Sequence, residues 1–371
     1  MMLGVSAEQD ELRASVRRFL ADRAPLTRVR ELMETEDGTD RAVWAQAATQ
    51  LGLQGLAIPE VYGGAGFTFA EQAIVLEEFG AALYSGPYLA SSVLAAAALL
   101  ASPDEGARRE LLPGIASGET VATLAFTEDD GSWDPGQIRL SAVKDGQDWR
   151  LDGHKSFVLD GRTAGLILVA AATDAGLSLF AVDGSAAGLS RTALPTLDQT
   201  RKLARLEFAG VTARLIGSPG DAAAVLDRTL DVAAIALAAE QLGGAQRALD
   251  MAVDYAKMRH QFGRPIGSFQ TIKHRCADLL LEVESLRSAV GYAAAAVAED
   301  SPEIPVLAPL VKAYASETYF HVAAENIQIH GGIGFTWEHD AHLYFKRAKA
   351  SELFLGDGAY HRERLANRIG L

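Results

Sequence analysis

The chain has 371 residues, 49% of them hydrophobic, with 48 acidic against 34 basic residues and a formal net charge of −14. That length exceeds one ordinary core and calls for two or three structural units. The acidic balance excludes a nucleic-acid partner, which needs clustered Lys and Arg, and disfavours an anionic membrane surface.

Residues 1–120 read as helices. Val5, Leu12, Val16 and Phe19–Leu20 share one face with charges between them. The stretch from Ala42 through Trp44 to Leu51 is a second helix, stopped by Gly52. Ile58-Pro59-Glu60-Val61-Tyr62-Gly63-Gly64 is a glycine-rich turn with no following Lys-Ser/Thr, so it is no P-loop. Helix resumes over 69–83 and 91–100. No basic region precedes an apolar stretch at the N-terminus, and apolar runs are cut by charges before the ~18 residues a membrane span needs. No signal peptide, no membrane contact and a cytoplasmic location are therefore expected.

After Gly118 the character changes. Ile138, Leu140 and Ala142 alternate with polar residues, Asp145-Gly146 supplies a turn, and Trp149 and Leu151 resume the alternation. Residues 166–172 and 177–182 flank Asp174-Ala175-Gly176 as a second strand pair, and 203–208 adds another strand. From Asp221 onward the chain is helical. Leu242, Ala245, Leu249, Val253 and Ala256 form one apolar stripe, and Ile272, Leu279, Val283, Leu286 and Val290 a second. A third helix spans 307–329, after Ser301-Pro302. The expected organisation is 1–120 helical, 121–220 a β domain, and 221–371 a helical bundle.

Two segments carry chemistry. In the first, Arg259-His260-Gln261-Phe262-Gly263-Arg264-Pro265, a helix must end before Gly263 and Pro265. Arg259 there can reach a phosphate as a forked donor, and Gln270 adds a polar group. In the second, Gln328-Ile329-His330-Gly331-Gly332-Ile333-Gly334, three glycines in four residues permit positive φ and close backbone approach to a ligand. Read singly, each is also compatible with an ordinary helix-ending turn. Cys276 lies in an apolar helical register. As the only cysteine, it excludes an internal disulfide and a thiolate cluster. His339, His342 and His361 lack the spacing of a zinc helix, and no Gly-x-Ser-x-Gly elbow occurs.

With Ala239 to Asp250, Arg259 to Gln270, Gln328 to Gly332, Ile58 to Gly64 and Leu151 to Lys155 in this order, the chain resembles the acyl-CoA dehydrogenase family along nearly its whole length. The resemblance implies an α+β, mostly α fold: an N-terminal helical domain, a β-barrel-like middle domain and a C-terminal four-helix bundle. It implies FAD at the interfaces of a tetramer, an acyl-CoA substrate desaturated to the 2-enoyl-CoA, and an electron-transfer flavoprotein or similar acceptor. Carried over, Arg259 and Gln261 touch the pyrophosphate–ribose region, Phe262 is a further cofactor-binding residue, and Phe269 and Gln270 lie along the same cofactor. Gln328, Gly331 and Gly332 lie against the adenine half of a neighbouring subunit's FAD. Thr127 belongs to the flavin-contacting loop of the middle domain.

The pattern breaks at the catalytic base. The two places where the family carries its glutamate hold Leu355 and Ala233 here. Glu240, two helical turns from Ala233 within an apolar stretch, is the first substitute, and burial would raise its pKa. A neighbouring Arg would instead make it structural. Asp357 and Glu352 are further carboxylates nearby. In the middle domain the family's Thr-Glu-Pro-Gly-Ala-Gly-Ser loop reads Thr127-Glu128-Asp129-Asp130-Gly131-Ser132-Trp133, and the family's Trp-Ile-Thr strand reads Phe157-Val158-Leu159. These losses resemble the β-type subunit of actinobacterial α2β2 members, steroid-degrading ones included, whose partner supplies base and middle-domain contacts. A homo-oligomer using Glu240 and a non-catalytic acyl-CoA-binding scaffold are the competing expectations.

Overall fold

The computed structural model describes residues 6–371, so Val5 lies outside the described residues. The order of helices, then sheet, then helices expected from the sequence is the order observed. The N-terminal part holds α1 (Ala7–Arg23), α2 (Leu26–Met33), α3 (Arg41–Leu51), α4 (Phe69–Ala82), α5 (Ala96–Ala101) and α6 (Glu105–Ala116). A π-helical turn, Leu89–Ala95, leads into α5. The sheet comprises β1 (Ala122–Ala125), β2 (Ser141–Asp145), β3 (Asp148–Leu159), β4 (Leu166–Thr173), β5 (Gly176–Asp183), β6 (Leu189–Leu194) and β7 (Leu203–Ile216). Then come α7 (Ala222–Met258), the short strands β8 (His260–Gln261) and β9 (Arg264–Pro265), α8 (Gln270–Ala298), α9 (Ile304–His330), α10 (Ala341–Leu353) and α11 (Gly358–Ile369).

The chain forms two compact units, neither continuous in sequence. One contains the chain up to Arg30, Phe69–Tyr84 and Ala234–Leu371; the other contains Glu31–Thr68 and Ser85–Ala233.

In the first unit, α1 and α4 join the bundle through charge. Arg13 bridges Glu77 and Glu78 at 2.8 and 3.1 Å, Arg17 holds Glu78 at 2.8 Å, and Arg287 of α8 reaches Glu77 at 2.5 Å. Helices α4 and α7 cross with their backbones nearly touching. A Cβ on Gly80 would stand 1.8 Å from the carbonyl oxygen of Glu240, and one on Gly243 would stand 1.7 Å from that of Glu77. Only glycine fits at such a crossing, because no real Cβ approaches backbone that closely. The stripe Leu242, Ala245, Leu249 and Ala256 is buried as its period predicts, as are Leu279, Val283, Leu286 and Val290.

In the second unit the sheet closes on itself: β2, β3, β7, β5 and β4 pair in a ring, with β1 added to β4 and β6 to β7. The Asp145-Gly146 hairpin joins β2 and β3 in the register Asp145↔Asp148. The interior is apolar, with Leu151, Ile167, Val169, Phe180, Leu206 and Val211 at its centre. Sequence periodicity missed β1 and β6. Four fully buried residues in β1 show no alternation, and β6 is short and has no fully buried residue.

Candidate functional site

The two segments singled out by sequence meet at one end of the bundle. Ala252, Ala256 and Ile329 form a small core there, with Tyr255, Ile266 and Ile272 packed against it. The ring of Tyr255, near the end of α7, stacks on His330, the last residue of α9, at 4.3 Å. Beyond Met258 the chain makes the hairpin β8–β9, with Phe262 at φ 53° and Gly263 at φ 78°. Left-handed backbone costs a non-glycine residue on the order of 1–2 kcal/mol. Here it turns the Phe262 ring outward, 91% exposed, edge-on to Phe269 at 6.1 Å.

The polar groups around these rings are uncommitted. The side chains of Arg259, Gln270 and Gln328 are exposed and have no hydrogen-bond or ion-pair partner among the described residues. Gln261 donates to its neighbour's carbonyl, that of His260, at 2.8 Å. Gly331, at φ 64°, and Gly332 face open space where a Cβ would stand. Phe335 and Trp337, just beyond, are 80% and 53% exposed.

The middle-domain loop is arranged in the opposite way. The buried Thr127 hydroxyl donates to the Ser156 carbonyl at 2.6 Å. Glu128 accepts from the amides of Arg139 and Leu140 and from Lys155 Nζ, at 2.8–2.9 Å. Lys155 has no exposed surface, and burial pushes its ammonium down to about 8 despite that partner. Asp129 pairs with Arg205 and His154 and accepts from the Ser156 hydroxyl. Those hydrogen bonds, that from Arg205 foremost, hold its carboxyl down at about 2. Phe157 sits at φ 58° where β3 slips register against β7.

The positions lacking a base are apolar and buried: Ala233 is 0% exposed and Leu355 4%. Leu355 is left-handed, at φ 62°. Its carbonyl accepts from His361 Nε2 at 3.0 Å, and the flanking carbonyls of Glu352 and Gly356 accept from the buried Lys312 at 3.2 and 3.1 Å. Glu240 is buried and accepts from Arg347 Nη1 at 2.8 Å, with both side chains under a tenth exposed. Asp357 caps α11 by accepting from the Tyr360 amide at 2.8 Å, and Glu352 pairs with Lys349. Sequence reasoning did not find Lys312, a lone cation in the run Pro309-Leu310-Val311-Lys312-Ala313, nor Arg347. In both cases the signal was a charge inside an apolar helical face.

Three family models cover most of the chain: the acyl-CoA dehydrogenase N-terminal domain over residues 6–119, the middle domain over 123–211, and the C-terminal domain over 223–370. The chain belongs to the acyl-CoA dehydrogenase family. It is 39% identical to "Acyl-CoA dehydrogenase IpdE2" of Mycobacterium tuberculosis over 94% of its own length and 93% of the relative's. Among solved structures it resembles the Tcur3481-Tcur3483 steroid ACAD, with 34% identity, TM-score 0.89 and 99% of each chain covered. It also resembles a chain of the ChsE4-ChsE5 complex from Mycobacterium tuberculosis, with 31% identity, TM-score 0.90 and 100% and 99% of the chains covered.

Acyl-CoA dehydrogenases are FAD flavoproteins and oxidoreductases acting on CH–CH groups. The bundle end fits such a cofactor. A free guanidinium and two free amides stand beside open glycine backbone, which suits a pyrophosphate and its sugars, and exposed aromatic rings suit a planar base. The middle-domain loop offers no matching set, since the Thr127 hydroxyl is already engaged and carboxylates line its surface. Among the described residues, no group of three or more His, Cys, Asp or Glu could hold a metal ion, and no helix is long and apolar enough to cross a membrane.

Proposed function

We propose that this chain supplies the bundle half of an FAD site shared with a second, base-bearing acyl-CoA dehydrogenase subunit in an α2β2 assembly. On this reading the pair desaturates an acyl-CoA to its 2-enoyl-CoA. The single observation that carries it is the contrast between the uncommitted Arg259, Gln270 and Gln328 and the self-satisfied loop at 127–133. Arg259 with Gln261 and Phe262 would hold the pyrophosphate side, Phe269 and Gln270 the length of the cofactor, and Gln328, Gly331 and Gly332 the adenine half. FAD, when bound, accepts the hydride equivalent from the β-carbon. The α-proton must then leave to a carboxylate. In this chain Ala233 and Leu355 cannot take it, and Glu240 is engaged by Arg347, so the base comes from the partner.

The steroid ACAD among the structural relatives favours a bulky acyl group, and an electron-transfer flavoprotein or similar acceptor would reoxidise the cofactor. The assembly would work in the cytoplasm, with residues 1–120, 121–220 and 221–371 as the three domains of each such chain. The test is purification of the chain alone and together with a base-bearing relative. The expected result is visible flavin absorbance only in the pair, with FAD retention falling about 10- to 100-fold on Arg259→Ala, the range of a lost charge-assisted hydrogen bond. A chain that holds FAD by itself and reduces it with acyl-CoA would establish the homo-oligomer instead. Loss of that reduction in Glu240→Gln would then make Glu240 the base.

A further inference from the structure

The turn between α9 and α10, residues 331–340, carries Gly331 and Gly332 and is tied down almost wholly by histidines and one arginine. His330 stacks on Tyr255 of α7, and its Nδ1 donates to the Asn326 carbonyl of α9 at 2.8 Å. His339 packs on His330 with ring centres 4.4 Å apart. Its Nδ1 accepts from the Ala341 amide at 3.1 Å, so it caps the first turn of α10 only while that nitrogen carries no proton. His342 stacks on Trp337 at 4.9 Å and donates through Nε2 to the Trp337 carbonyl at 3.3 Å. Its Nδ1 is buried with no partner.

The charges around these rings are of both signs. Arg30 of α2 donates to the carbonyls of Trp337 and His339 and to Asp340 Oδ1, at 2.8–3.0 Å. Lys346 of α10 lies 4.6 Å over the Trp337 ring. The only carboxylates in the turn are Asp340, engaged by Arg30, and the exposed Glu338. A proton on His339 would turn its Nδ1 from acceptor to donor against an amide that also donates. A proton on His342 would bury an unpaired N–H. On His342 the added charge would also stand beside Lys346 and Arg30. On His339 the nearby Asp340 offsets Arg30, so burial and the lost acceptor for the Ala341 amide oppose the proton there.

We infer that His330, His339 and His342 form a latch that holds the 331–340 turn in place only while the imidazoles are neutral, so that acidification frees the Gly331–Gly332 surface. Its consequence for FAD rests on the shared-site reading above; the latch itself does not. Burial, the largest cause for each, already sets all three histidines below the ordinary value. The linkage sign follows. A depressed histidine leaves the turn fully held above the ordinary value near 6.5 and weakens it as pH falls below that.

The test is segment-resolved hydrogen exchange on the full chain, corrected for intrinsic rates, between about pH 7.5 and about pH 5.5, which spans the histidine range. The peptide covering 328–342 should lose protection severalfold, up to about tenfold for each histidine, the limit set by working about one pH unit below the ordinary value near 6.5. His339→Asn keeps an acceptor toward the Ala341 amide and His342→Gln keeps the donor toward Trp337, yet neither titrates. The double variant should stay protected at both values, whereas His339→Lys should be loose at both. The double variant leaves only His330 to titrate, so wild-type protection independent of pH, or a double variant whose dependence is as large as the wild type's, overturns the latch. A turn that loosens while FAD retention in the paired complex stays unchanged upholds the latch and removes Gly331–Gly332 from the flavin site.

Discussion

At the end of the bundle, Arg259, Gln270 and Gln328 project side chains with no partner among the described residues, beside Phe262, Phe335 and glycine backbone open to solvent. At residues 127–133 the polar groups fold back on their own domain: Thr127 onto Ser156, Glu128 onto Lys155, Asp129 onto Arg205 and His154. Both regions belong to the part of the sequence that resembles flavin-binding elements. Water satisfies such exposed donors, so they stay available to a ligand or subunit, and the apolar surface exposed beside them marks a place where one can dock. A loop whose donors and acceptors already satisfy one another offers no such donors.

The contrast depends on the bundle keeping its interior charge strictly structural, which the first prediction tests. Replacing Arg347 with Met removes this partner from Glu240, whose side chain is under a tenth exposed, and should destabilise the chain by about 3–5 kcal/mol in denaturant unfolding. The double variant Glu240→Leu/Arg347→Met should recover most of that, because a buried pair contributes little beyond an apolar replacement. A single-variant loss under about 1 kcal/mol would show that Glu240 does not rely on Arg347. It would also return Glu240 to the list of bases.

How far the sequence reached follows the same division. The helices of the bundle and the β2–β3 hairpin were legible, because each rests on local periodicity or turn chemistry. The meeting of the two glycine-bearing segments within one chain was not, since the resemblance assigned Gln328–Gly332 to a neighbouring subunit's cofactor and the contact of Tyr255 with His330 is long-range. The Glu240–Arg347 pair was foreseen only as a type of partner, since 107 residues separate the two. The self-satisfaction of 127–133 was not legible. It depends on Lys155 and Arg205, brought to the loop by strand pairings at long range in sequence. Nor was the histidine latch, because the spacing of His330, His339 and His342 matches no helix or metal pattern and acquires meaning only when the chain turns.

The second prediction separates the two regions by pH. Burial pushes the His361 imidazole down to about 3, so the bundle is fully stable above the ordinary histidine value and loses stability as pH falls toward 3. At about 1.4 kcal/mol per pH unit, a fall from about 6.5 to about 4.5 costs on the order of 2–3 kcal/mol. Asp129, held at about 2 by Arg205, contributes stability that is complete above the ordinary Asp value and is lost only as pH falls through about 2. Acid-dependent hydrogen exchange should therefore loosen α9–α11 peptides first and β3–β7 peptides later. His361→Gln, which keeps a donor for the Leu355 carbonyl, should flatten the response of the bundle outside the 328–342 segment. Simultaneous loosening of both regions would erase the distinction.

The smallest effect asks the sharpest question of the loop. Asp129 is half exposed, so its pairs with Arg205 and His154 should contribute at most about 1 kcal/mol, and Asp129→Asn should shift the Tm only slightly. If hydrogen bonding within the loop closes this half of the site, the variant, like the wild type, will bind no FAD in the absence of a partner. The Thr127–Ser156 and Glu128–Lys155 contacts remain after the charge is gone. If the carboxylates alone repel the pyrophosphate, Asp129→Asn with Asp130→Asn should give the isolated chain a measurable affinity for FAD, read by fluorescence quenching on titration. The first outcome places the difference between the two regions in the shape of the loop. The second places it in two charges, and means that two substitutions separate this chain from a protein with both halves of the site open.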